Sequence, residues 1–143
     1  MNKQAEQYFE PAELKKYEGE WIYADSIQTF KINLKKQVRK TAQGAYLTEL
    51  YGNYCYSKNE NKESCFINEK DTTISNATTL FFNKKDLFFL KDRIKEKRGE
   101  GFLKLLPNST EEVEWYLRNP EGMIGDFDQS FSVPTKLILK KVK

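Results

Sequence analysis

The sequence predicts an all-β protein: eight or nine short antiparallel strands, preceded by a short N-terminal helix. Two observations carry this. From Trp21 onward, apolar and polar residues alternate with a period of two over most of the chain. Polar, turn-forming clusters then interrupt the alternation at frequent intervals, as in an antiparallel barrel or sandwich.

Glu10 to Tyr17 reads as the helix. Pro11 suits a first helical position, Leu14 and Tyr17 share a face, and Gly19 stops the run. Trp21 and Tyr23 then alternate with Glu20, Ile22 and Ala24, and "ADS" turns the chain. Phe30, Ile32 and Leu34 follow, set against Thr29, Lys31, Asn33 and Lys35, before a polar connection "QVRKTAQG". "AYLTELYGNYCYS" is a long strand in which Gly52 predicts a bulge or bend, and "SCFIN" pairs back onto it. "EKDTTISNA" reads as a loop. "TTLFFN" and "LFFLKDRIKE" read as a hairpin turning at "NKKD".

"KRGEG" reads as a turn and "GFLKLL" as a strand closed by Pro107. In "EEVEWYLR", Val113, Trp115 and Leu117 oppose Glu112, Glu114, Tyr116 and Arg118. After the loop "NPEGMIGDFDQ", the last stretch places Phe131, Val133, Thr135, Leu137 and Leu139 on one side. Pro134 there marks an edge, a bend or a strand start. No repeat or linker divides the chain, so residues 1–143 read as one domain with residues 1–9 as a flexible leading segment.

With 143 residues the chain is long enough for its own core. Its 24 basic and 21 acidic residues leave a net charge of only +3, which predicts no nucleic-acid partner. No apolar run reaches the roughly 20 residues of a membrane helix. "MNKQAEQYFEP" carries no apolar signal segment. Either the protein is cytoplasmic with Met1 native, or a signal has been removed.

Two cysteines, Cys55 and Cys65, flank the polar stretch "YSKNENKES". A hairpin centred on Glu60 sets them opposite each other, within reach of a cross-strand disulfide and hence of an oxidising compartment. The plain alternative is two separate free thiols. With no histidine and only these two cysteines, a zinc site is not expected.

The step Gly19-Glu20-Trp21, placed between a short helix and a run of hairpins, resembles the calycin group of lipocalins and fatty-acid-binding proteins. That resemblance implies a closed, lipocalin-like barrel of eight or nine strands. Trp21 would plug one end under a basic side chain from the last strands, and Gly19 would let the chain bend. Lys136, Lys140 and Arg118 are the candidates for that cation. "YFEPAELKKYEGEW", "LYGNYCY", "VEWYLRNPEG" and "FSVPTKLILKK" are similar to an uncharacterised family of small Bacteroidota proteins. This likeness implies export behind a secretion or lipoprotein signal, with a lipid anchor before processing, and no assigned activity.

No nucleophile and base pair can be assembled without histidine, and "RGEG" lacks the following helix of a phosphate loop. The carboxylate pairs Glu112 with Glu114 and Asp126 with Asp128 read as solvated surface. Basic clusters at "KKQVRK", "KDRIKEKR" and "KLILKKVK" read as an outer face. Tyr46, Tyr54 and Tyr56 as a stacking platform for single strands is the minor alternative. Phe30, Phe66, Phe81, Phe82, Phe88, Phe89 and Phe102 read as core. The predicted function is non-enzymatic, without cofactor, in a monomer that binds a small apolar or amphipathic molecule near Trp21, Tyr23, Tyr54, Tyr56 and Trp115. The alternative is a protein-interaction module with a filled core; a solid interior beside an exposed apolar patch would favour it.

Overall fold

A computed structural model describes residues 8–9, 14–40, 42–59, 64–67, 70–76, 87–109, 111–120 and 129–142. Strand β1 is Tyr8–Phe9, followed by a single helical turn α1, Leu14–Tyr17. Then come β2 Gly19–Ala24, β3 Gln28–Lys40, β4 Tyr46–Lys58, β5 Ser64–Cys65 and β6 Ile74–Asn76. The remaining strands are β7 Leu87–Asp92, β8 Lys97–Leu105, β9 Glu112–Arg118 and β10 Lys136–Lys141.

The sheet closes on itself. Its order runs β4-β3-β2-β10-β9-β8-β7-β6, and β6 pairs back onto β4 through Gly52↔Ile74, every contact in the ring being antiparallel. The result is an eight-stranded up-and-down barrel. β1 lies parallel to the start of β4 and β5 antiparallel to its end. Closure removes free edges from the ring itself.

Alternation decides what faces in. β9 follows the expected pattern, with Val113, Trp115 and Leu117 buried and Glu114 and Tyr116 exposed. On β3, Phe30, Ile32 and Leu34 are buried; on β7, Phe88 and Leu90; on β10, Leu139. Trp21, Tyr54 and Trp115 have no exposed surface.

Several segments differ from the sequence expectation. "QVRK" is strand, because beyond Leu34 the β3–β4 ladder continues as a ribbon past the end of β2. Its polar side chains, Lys35 and Gln37 among them, are exposed there. Gly52 makes no bulge: the register from Gln28↔Lys58 to Lys40↔Tyr46 is unbroken. It is small because any Cβ would collide with the carbonyl oxygen of Asn33.

Ile74 turns "TISN" into β6, since this apolar residue enters the core at 1% exposure. Residues 8–9 belong to the sheet rather than to a flexible segment. Of the expected helix, Leu14–Tyr17 is helical and residues 10–13 lie outside the described residues, as do Phe81, Phe82, "TTLFFN" and the "NKKD" turn. On the last stretch, Val133 and Leu139 are buried but Thr135 is exposed.

"KRGEG" is not a turn; it opens β8, and the turn precedes it at 93–96 with Glu96 at positive φ. Gly99 and Gly101 face inward, where bulky partners need room. A Cβ on Gly101 would meet the ring of Phe88, and one on Gly99 would meet Leu117 and Phe131. Gly101→Ala is therefore expected to cost about 1 to 3 kcal/mol by overpacking, measured as a lower midpoint in urea. A smaller companion change, Phe88→Leu, should restore part of it.

Candidate functional site

Two ends of the barrel carry the residues singled out from the sequence. At the first, β2 begins with Gly19 at φ 125°, a conformation that favours glycine. This sharp entry sets Trp21 inward, opposite Ile32 on β3 and Lys141 on β10. The indole Nε1 donates to the Tyr17 carbonyl of α1 at 2.9 Å, so the helical turn and the plug are one unit. Lys141 Nζ lies 5.6 Å from the ring centroid, within cation–π range.

The cation is thus none of Lys136, Lys140 or Arg118. Lys136 and Lys140 point outward, and Arg118 lies across Phe102. Alternation puts Lys141 on the inward side after Leu137 and Leu139, but only the pairing of β10 with β2 sets it beside Trp21.

Around the other end stand Tyr23, Tyr54, Tyr56 and Trp115. The structure brings Tyr54, Tyr56 and Trp115 together around Phe30, at centroid distances of 6.3, 6.1 and 4.9 Å. Phe88 also lies 4.9 Å from Trp115. Trp21 shares the core cluster, and Tyr23 packs against it from β2. Trp115 Nε1 donates to the Pro134 carbonyl at 2.8 Å.

The tyrosine hydroxyls have protein partners. Tyr56 donates to Gln28 Oε1 at 2.7 Å and Tyr23 to Asp25 Oδ2 at 2.6 Å. Asp25 also caps its own turn by accepting from the Ile27 and Gln28 amides. Tyr54 Oη accepts from the Arg93 amide at 3.1 Å. That bond joins β4 to the end of β7, beyond the short reach of β6.

Asp92, which the sequence did not single out, and Phe66, which it read as core, complete this end. Asp92 is fully buried, yet its carboxylate accepts from the amides of Ile94, Lys95 and Ser132 and from the Ser132 hydroxyl. It ties the 129–135 segment across the barrel end. Phe66, next to the bridged Cys65, stacks edge-on to Tyr54 at 5.2 Å and lies 4.9 Å from the Arg93 guanidinium. A buried aspartate serving as a turn cap and a cross-link carries no periodic signature, so the sequence hides it.

Cys55 and Cys65 are cross-strand partners and form a disulfide. The Phe66 amide donates to the Tyr54 carbonyl at 2.8 Å, so the neighbouring Cys55–Cys65 pair occupies a non-hydrogen-bonded position, where side chains approach closest.

Burial raises the Tyr54 hydroxyl above the ordinary tyrosine range, opposed by the Arg93 amide and reinforced by the Asp92 charge. Burial, then the Asp25 charge, raises Tyr56; the hydrogen bond to Asp25 chiefly raises Tyr23. The same bond from Tyr23, with the Gln28 and Ile27 amides, lowers Asp25. Raised tyrosines add stability that is whole below the unfolded value of about 10 and is lost as pH climbs through the folded values. Tyrosinate absorbance of the folded protein is expected to show a late-ionising fraction, with stability falling over the same window. Simultaneous ionisation of all eight tyrosines at the unfolded value would refute this.

The other candidates separate. Tyr54 is buried and offers no stacking face to a base. Glu112 is half-buried and Glu114 exposed on β9, while Asp126 and Asp128 lie outside the described residues. Among the described residues no helix is long and apolar enough to cross a membrane.

The chain belongs to a family of unknown function, DUF6705, whose profile matches residues 2–142. No curated protein and no solved structure matches it.

Proposed function

We propose that the protein is a non-enzymatic, exported, lipocalin-like barrel that acts through its surface, its interior being occupied by its own side chains. One observation carries this reading. The Trp115 ring lies 4.9 Å by centroid from both Phe30 and Phe88. Contacts of that kind fill an eight-stranded barrel.

The outer face of β8–β10 exposes apolar side chains among Lys104, Glu114 and Lys136. Tyr116 and Ile138 are 43% and 45% exposed, and Phe102 lies 6.1 Å from Tyr116. Export is supported by the Cys55–Cys65 disulfide, since such bonds persist in oxidising compartments. The second reading, a small apolar or amphipathic ligand, is favoured by the half-buried rings of Tyr23 and Tyr56 and by Ile27, which is 53% exposed in the β2–β3 turn.

Titration with palmitate, followed by amide and indole NMR resonances, tests both. The expected result is a Trp115 indole resonance that does not move. A saturable shift there would overturn the filled-interior reading, and one confined to Tyr23, Ile27 and Tyr56 would favour the mouth ligand instead.

A further inference from the structure

A cleft of about 180 Å³ lies on the outer wall of the barrel, between the β3–β4 ribbon and the chain that leads from β5 to β6. Lys35 stands on one side and Lys70 and Thr72 on the other, with Asn33, Tyr51 and Asn53 between them. Every described lining side chain is neutral or cationic. Neither lysine has an ion-pair partner among the described residues, and both are exposed.

The floor is built rather than incidental. Asn33 Oδ1 accepts from the Asn53 amide at 2.8 Å. Asn53, only 3% exposed, accepts from the Thr73 amide and hydroxyl at 2.7 and 2.8 Å. The Thr73 amide also donates to the Gly52 carbonyl at 3.0 Å. These bonds fix Thr73, next to Thr72, against β4, and the Cys55–Cys65 disulfide fixes β5 to the same strand. Three described acids near these strands are engaged or do not line the cleft: Glu18 accepts from the Lys36 amide at 3.1 Å. Glu49 is buried and accepts from the Tyr51 hydroxyl at 2.7 Å, and Asp71 is exposed and does not line the cleft.

The geometry points to a binding site for a small, hydroxyl-bearing oxyanion, such as a sugar phosphate or sugar acid. The two ammonium groups meet the anionic end, and the exposed side chains of Gln37 and Thr72 meet the rest. The site is independent of the reading above, because it uses neither the barrel interior nor the β8–β10 face.

Calorimetric and NMR titration with glucose 6-phosphate, glucuronate and neutral glucose tests this. Saturable binding of the phosphate or the acid is expected, with a Kd of about 1 mM or tighter, weakening as salt rises. Glucose should not bind. Lys35→Ala with Lys70→Ala should weaken binding at least about tenfold, equal to about 1.4 kcal/mol, without moving the thermal midpoint. Lys35→Arg with Lys70→Arg should retain it. Absence of saturation by either anion, equal binding of glucose, or binding that survives the double alanine change would overturn the site.

Discussion

Trp21→Ala is expected to lower unfolding free energy by about 3 to 5 kcal/mol, the range for removing a buried large aromatic. Trp21 has no exposed surface and its Nε1 bonds to the Tyr17 carbonyl. Truncation therefore opens a cavity under the barrel end and frees α1 as well. Trp21→Phe keeps much of the volume and loses the bond, so it should fall well short of the alanine effect. Lys141→Met removes the cation but keeps the stem, and should cost about 0.5 to 1 kcal/mol. Urea midpoints for the three variants check the order. An unchanged midpoint for Trp21→Ala would show that the indole seals nothing.

Removing the disulfide is expected to cost about 2 to 3 kcal/mol, the chain-entropy value for a loop this short. The two cysteines are 10 residues apart. The bridge also sets Phe66 against Tyr54 and Arg93. Cys55→Ser with Cys65→Ser should lower the midpoint, and reductant should lower the parent protein's to match while leaving the double variant unmoved. Titration of the unreduced, denatured protein should find no free thiol. Two free thiols, or a parent insensitive to reductant, would remove the bridge and the support it gives to export.

Alternation told the inward residues of β2, β3 and β9, because each strand has one buried face and a side-chain period of two. It also placed Cys55 opposite Cys65, since a hairpin fixes its register from the turn outward. The same rule misread β8. Gly99 and Gly101 look like turn residues in isolation and are strand residues only because Phe88, Leu117 and Phe131 fill the space before them. It passed over β6, three residues long, whose membership depends on β4 and β7 lying on either side.

The sequence by itself determined the all-β character and the inward faces of β3 and β9, and set Cys55 opposite Cys65 as one of two readings, all local or one-hairpin properties. It misassigned Phe89 and Phe102, read as core, which alternate outward beside Arg98 and Tyr116. Tertiary structure alone decided which cation covers Trp21, since Lys141 and Trp21 are brought together only when β10 closes the ring against β2. It alone made Asp92 a buried cross-link to Ser132, 40 residues away in the chain. It also gathered Lys35, Asn53 and Lys70 around one cleft. Residues on separate strands share no periodic signal, so their meeting is set by closure of the barrel and the packing that closure requires.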